Sequence, residues 1–119
     1  FAGREYVFVD GGMADNPRYA LYKAKYEAML ANKMNQEADT TYTVAGKCCE
    51  SGDMLVMDAK LPKAEQGDLL LVSSTGAYNY SMSSNYNRLP KLPVVFVKDG
   101  TSRLVVKGET LEDLIRQDI

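Results

Sequence analysis

The stretch Val94-Val95-Phe96-Val97-Lys98-Asp99-Gly100-Thr101-Ser102-Arg103-Leu104-Val105-Val106 states the fold most openly. Two apolar, β-branched runs, Val94–Val97 and Arg103–Val106, flank Asp99-Gly100. A type I′ turn needs positive φ at both central residues, and Asp-Gly accepts that while matching the twist of the paired strands. A β-hairpin is predicted here. Working outward toward the N-terminus, Leu69–Ser73, Met54–Met57, Thr40–Ala45 and Glu5–Val9 repeat the pattern of short β-favouring runs stopped by Gly, Asp or polar residues. Pro90 and Pro93 lead into the hairpin. Beyond it, Glu109–Gln117 reads as a terminal helix, with Thr110 as N-cap, Asp113 completing a capping box, and Leu111, Leu114 and Ile115 on one face. In Ala20–Met34 the residues Tyr22, Tyr26, Met29 and Leu30 sit at helical spacing and the Ala-rich composition favours helix, yet the flanks carry no strong cap. Short strands between Gly, Asp and Pro turns predict a mainly β fold, a Greek-key β-barrel or sandwich with a short C-terminal helix.

Composition narrows the chemistry. A chain of 119 residues is the size of one domain, taken as 1–119. No apolar run is long enough to span a bilayer, and Phe1-Ala2-Gly3-Arg4 has no signal-peptide pattern, so a cytoplasmic protein is expected and membrane association is not. A first residue of Phe suggests a processed chain or an excerpt of a longer one. The 14 basic and 16 acidic residues are scattered, which offers no footprint for nucleic acid. There is no His, which excludes Ser-His-Asp triads, Cys-His pairs and imidazole zinc ligands. Chemistry within this chain must come from Cys, Lys, Arg, Tyr or carboxylates.

Three loops carry such groups. In Gly46-Lys47-Cys48-Cys49-Glu50-Ser51-Gly52-Asp53 the adjacent cysteines do not make a zinc half-site, and a vicinal disulfide would be strained. Either the thiols are small buried apolar groups, or one of them works. The polar and turn residues that follow favour a functional Cys49, whose unperturbed pKa lies near enough to neutrality for proton exchange. In Asp10–Tyr22, Arg18 and Tyr22 are four residues apart, so one helical turn would offer a guanidinium fork and a phenol to one anion such as a carboxylate. The alternative is a surface Arg with a Tyr behind it. Gly11-Gly12 and Pro17 fix an irregular backbone just there and weigh toward a site. The third loop, Thr75–Arg88, is rich in Tyr, Asn and Ser; it suits a binding surface, and equally the padding of a dimer interface.

Taken together, Val9-Asp10-Gly11-Gly12-Met13, Asn16-Pro17-Arg18, Ala20-Leu21-Tyr22, Gly46–Asp53, Thr75-Gly76-Ala77-Tyr78 and Ser84-Asn85-Tyr86-Asn87 resemble the C-terminal domain of the diaminopimelate decarboxylases over nearly the whole chain. Cys-Glu-x-Gly-Asp alone is also similar to decarboxylases of ornithine, arginine and carboxynorspermidine. Tyr19 stands where that family commonly has proline. The resemblance implies the C-terminal β domain of a two-domain pyridoxal 5'-phosphate enzyme of the alanine racemase fold type. The cofactor's lysine would then lie in an α/β barrel outside this chain, which leaves Lys47 structural or peripheral. The implied reaction converts meso-diaminopimelate to L-lysine and carbon dioxide, the last step of lysine biosynthesis, at the interface of a homodimer. By the same resemblance Cys49 is the proton donor at the partner's site and Glu50 accepts the distal ammonium. Arg18 and Tyr22 hold the distal carboxylate, and Tyr78 touches cofactor phosphate and substrate. No metal is implied, and Ala20–Met34 is drawn toward one helical turn followed by a strand.

Overall fold

The computed structural model describes residues 3–119. Seven strands and three short helices follow one another as β1 (Tyr6–Phe8), α1 (Arg18–Tyr22), β2 (Ala28–Leu30), β3 (Thr40–Ala45), β4 (Met54–Leu61), β5 (Leu70–Val72), α2 (Asn79–Met82), β6 (Val94–Lys98), β7 (Thr101–Val106) and α3 (Leu111–Ile115). Single 3-10 turns occupy Ala31–Lys33 and Tyr86–Arg88. The mainly β reading and the terminal helix hold. The strands, however, form three separate sheets, ordered β1-β3-β4, β2-β5 and β6-β7. A barrel needs every strand paired on both sides, and here only β3 is, so the arrangement is sandwich-like and the barrel is not closed. The first sheet is also mixed: β1 runs parallel to β3, with Tyr6 opposite Thr43 and Phe8 opposite Ala45, and β3 runs antiparallel to β4.

The core lies where the first sheet meets β2 and β5. Leu30, Tyr42, Val44, Leu55, Val56, Ala59 and Leu61 are buried there, and Val7, Val9, Tyr26, Ala28, Leu70 and Val72 pack around them. Strand β3 contributes most, because Tyr42, Thr43, Val44 and Ala45 are all buried and both of its faces are covered. The buried Tyr42 phenol is satisfied by accepting the Ala64 N–H at 3.1 Å. Below the core, Asn32 and Asp68 tie β2 to β5: the Asn32 amide donates to Asp68 and the Asn32 carbonyl accepts the Leu69 N–H.

Ala20–Met34 resolves into one helical turn and a strand. Lys23 ends the turn in the left-handed conformation, its N–H donating to Arg18 and Tyr19. Strand β4 runs four residues past the predicted Met57, to Leu61. Asp58 hides this in the sequence: it breaks the β-favouring pattern, adopts φ 55°, and pairs with Arg4 at 2.8 Å. The hairpin is as predicted, with Asp99 and Gly100 at φ 51° and 72°. The predicted helix shrinks to Leu111–Ile115, but its capping box is present. Both the hairpin and α3 leave apolar side chains in solvent: Phe96, Val97, Leu104, Leu111 and Ile115 are all more than half exposed. Among the described residues no helix is long and apolar enough to cross a membrane, and no cluster of His, Cys, Asp or Glu is placed to hold a metal ion.

Candidate active site

Two loops that the chain order keeps far apart are locked to each other by the Asp53 carboxylate. Asp53 is 3% exposed. Its Oδ1 accepts the Met13 N–H at 2.7 Å, and its Oδ2 accepts the Cys48 N–H at 2.7 Å. Two glycines make room for it. A Cβ on Gly46 would run into the Asp53 carboxylate and lie 2.5 Å from Gly12 Cα, and one on Gly12 would lie 2.9 Å from Asp53 Oδ2. Backbone bonds complete the joint: Gly46 N–H donates to the Asp53 carbonyl, Lys47 N–H to Gly11, and Ser84 N–H to Ala14. Asp53 belongs to the motif read from sequence, yet its clamping role was not read there. The signal was present as a second acidic residue closing a turn, opposite glycines at 12 and 46.

The Asp10–Tyr22 loop is shaped locally as well. Asp15 accepts the Gly12 N–H at 3.0 Å, and burial pushes its carboxyl above the ordinary carboxylate value. Buried Asn16 accepts the Arg18 N–H at 3.2 Å and so starts α1. One helical turn then puts Arg18 and Tyr22 on the same side, as their spacing predicts. The guanidinium lies 5.7 Å from the Tyr22 ring and 4.8 Å from the Tyr78 ring, with one N–H toward Met82 Sδ at 3.8 Å. Among the described residues Arg18 has no carboxylate partner. A half-buried guanidinium framed by two exposed phenols has the charge and the donors that an anion such as a carboxylate requires. Tyr78 is brought to it by its own backbone, at φ 72° before α2, while Asn79 closes the turn by donating to the Thr75 carbonyl at 3.1 Å.

The two cysteines separate. Cys48 is buried, and burial pushes its thiol above the ordinary value. Cys49 is exposed and free, so the buried-thiol reading describes one residue and the accessible-thiol reading the other. Glu50 turns back on the loop: one carboxylate oxygen accepts the Gly52 N–H at 3.0 Å, and the other meets no described donor. Lys47 is exposed. Arg18, Tyr22 and Tyr78 therefore form one cluster, and Cys49 with Glu50 a second corner. Among the described residues no hydrogen bond, ion pair or ring contact joins them directly; the link runs through Asp53 on one side and residues 84–88 on the other. Asn87 and Tyr86 are the further residues at the second corner, where Asn87 Oδ1 accepts the Cys49 N–H at 2.7 Å and Tyr86 donates to the Cys49 carbonyl at 3.2 Å. They stood in a quoted motif, but residue type alone did not say which partner each would take.

Residues 2–76 match the family described as pyridoxal-dependent decarboxylase, C-terminal sheet domain. The chain is 59% identical over 116 residues to diaminopimelate decarboxylase of Bacillus subtilis, covering 98% of this chain and 26% of that protein. It is 55% identical over 115 residues to the Staphylococcus aureus protein of that name, covering 96% and 27%. Among solved structures it is similar to diaminopimelate decarboxylase of Helicobacter pylori complexed with L-lysine, with a TM-score of 0.83, 40% identity, and coverage of 93% of this chain and 27% of that one. This chain thus spans about a quarter of the length of the relatives it matches.

Proposed function

The chain belongs to the pyridoxal-dependent decarboxylase C-terminal sheet domain family, and from that premise we propose that it is the C-terminal β domain of a cytoplasmic, homodimeric diaminopimelate decarboxylase. The observation that carries the reading is Arg18: a half-buried guanidinium with no described carboxylate partner, set between Tyr22 and Tyr78. A cation held this way lacks its anion. A substrate with amino-acid groups at both ends needs an anion site and a cation site in one active centre. Arg18 with Tyr22 offers the first, and the open Glu50 oxygen the second, for the distal ammonium. Ornithine, whose far end carries only an amine, would leave Arg18 unmet.

The residues present also suit the cofactor. Tyr78 presents an exposed phenol that takes no described partner, on a side chain steadied by Arg18, and it would hold the phosphate. When bound, pyridoxal 5'-phosphate serves as the sink for the electron pair left by the departing carboxylate. The exposed Cys49 thiol would return a proton from Sγ to the carbon that lost carbon dioxide, which becomes the CH2 bearing lysine's side-chain amine, while the L-configured centre at the other end of the substrate is untouched. The bare apolar side chains of the hairpin and α3 support further protein covering this face in the complete enzyme.

The test is carbon dioxide release by the full-length protein from meso-diaminopimelate, ornithine, arginine and carboxynorspermidine. Diaminopimelate should be preferred. Arg18→Ala should lower kcat/KM for it by about a hundredfold, the scale of a lost charged hydrogen-bond pair, and narrow its margin over ornithine. Cys49→Ala should lose turnover. An equal margin in wild type and Arg18→Ala would remove the anion-site assignment.

A further inference from the structure

The Cys49 backbone is gripped at both polar atoms by neighbouring residues of one other segment. Asn87 Oδ1 accepts its N–H at 2.7 Å, and the Tyr86 hydroxyl donates to its carbonyl at 3.2 Å. On the inner side, Asp53 holds the Cys48 N–H, and Glu50 N–H donates to the Cys48 carbonyl at 2.8 Å. The turn is thus clamped from the protein side at Cys48 and from the solvent side at Cys49. Without the outer clamp an exposed turn residue would exchange these bonds with water and the thiol would sweep several directions.

The outer clamp is itself built at a conformational cost. Asn87 and Arg88 both occupy the left-handed region, at φ 57° and 56°, which side-chain-bearing residues adopt only where surroundings enforce it. Those surroundings are specific. Ser84 N–H donates to Ala14 in the Arg18 loop. The Asn85 amide donates to Glu109 Oε1 at 2.7 Å, and that same oxygen accepts the Lys91 N–H. The Arg88 guanidinium forks onto both Asp118 oxygens at 2.9 and 3.1 Å. Residues 84–91 are therefore fastened at both flanks, and Asn87 is what they present to the turn.

We propose that Asn87, assisted by Tyr86, is a positioning residue for Cys49: it fixes the backbone from which the thiol projects and so the direction in which Sγ delivers its proton. The inference rests on the reading of Cys49 as proton donor. Asn is suited twice over, since it tolerates the left-handed region and carries a carbonyl acceptor.

The two properties can be separated in the full-length holoenzyme. Asn87→Gly keeps the backbone permissive and removes the acceptor, and Asn87→Asp keeps both. Asn87→Gly should lower kcat about tenfold or more with KM moved less than about twofold, because misplacing a reacting group by a fraction of an ångström acts on the transition state and not on binding. Asn87→Asp should recover kcat to within about threefold of wild type, and Tyr86→Phe should lose about two- to threefold, as one neutral hydrogen bond at a partly solvated site allows. Iodoacetamide labelling read by peptide mass spectrometry gives a second measure: in Asn87→Gly, Cys49 should label faster while buried Cys48 stays protected. Wild-type kcat and labelling in Asn87→Gly would overturn the proposal, as would equal losses in Asn87→Gly and Asn87→Asp, or labelling of Cys48 together with Cys49. Cys49→Ala run alongside keeps the two readings apart. If it retains turnover, the proton-donor reading falls, and the labelling rates still decide whether Asn87 holds Cys49.

Discussion

Replacing Asp53 by Asn is isosteric and would pass as conservative on a surface, yet here it should be among the most damaging single changes available. Each carboxylate oxygen is committed: Oδ1 to the Met13 N–H and Oδ2 to the Cys48 N–H, both at 2.7 Å, on a side chain 3% exposed. An amide has one acceptor. Whichever N–H it keeps, its NH2 faces the other, donor against donor. Two polar groups then lack partners, and at about 1–3 kcal/mol for each buried unmet group the loss is about 2–6 kcal/mol. Against a typical domain stability of about 5–15 kcal/mol, that is enough to lower the urea midpoint by about 0.7 M or more at an ordinary slope of about 1–3 kcal/mol per molar. The assay is urea unfolding followed by circular dichroism, with Asp58→Asn as control, because the Arg4–Asp58 pair is exposed and such pairs contribute under about 1 kcal/mol. Asp53→Asn should be no better than Asp53→Ala, since Ala removes the opposed donor along with the acceptors. If Asp53→Asn unfolds within about 0.5 kcal/mol of wild type, the two-acceptor clamp is not what joins these loops and the reasoning fails.

Three further outcomes follow from the same geometry. Gly46→Ala should lower the melting temperature more than Gly12→Ala, because the Gly46 Cβ meets backbone at Gly12 Cα as well as the Asp53 carboxylate, a clash on the order of 1–3 kcal/mol or more; the reverse order would contradict the close approach. Asp68 is held down to about 2 from its ordinary 3.8, first by the Lys33 ammonium and then by the Asn32 amide and the Glu65 N–H. A lowered carboxyl stabilises the fold above its ordinary pKa, and that contribution is lost as pH falls from 3.8 toward about 2. The stability difference between wild type and Lys33→Met should therefore shrink across that interval, and a difference independent of pH would refute the link. Thr110→Ala breaks the reciprocal bonds between Thr110 and Asp113 and should cost about 1 kcal/mol, visible as faster amide exchange confined to α3.

The ordering of elements was open to reading because local rules and tertiary context agreed there. Asp99-Gly100 demands two positive φ angles whatever surrounds it, and Thr110 with Asp113 can close its box within a single turn. The positions that misled are those where a distant partner decides. Asp58 looks like a strand terminator until Arg4 is placed beside it, and β4 continues to Leu61. Short strands between turns left barrel and sandwich open together, because closure depends on pairing, and with the exposed hairpin β6–β7 joining neither other sheet the sandwich-like arrangement results. At the site, spacing alone placed Arg18 beside Tyr22, four residues apart on one turn. Tyr78 joined them only in three dimensions, at 4.8 Å from the guanidinium.

By itself the sequence determined which chemistry this chain can supply: with no His, its working groups are a thiol, a guanidinium, carboxylates and phenols, distributed over three loops in a fixed order. It also determined the local shapes of the hairpin turn and the helix cap. Tertiary structure alone decided which of two adjacent thiols is accessible, that both oxygens of Asp53 are spent joining two loops forty residues apart, and that Asn87 reaches back thirty-eight residues to the Cys49 backbone. The physical reason is one of range. Turn and cap preferences act over a few bonds and can be read from neighbours, whereas the burial of Cys48 and the pairing of Asp53 and Asn87 exist only after the chain has closed on itself and excluded water between distant segments.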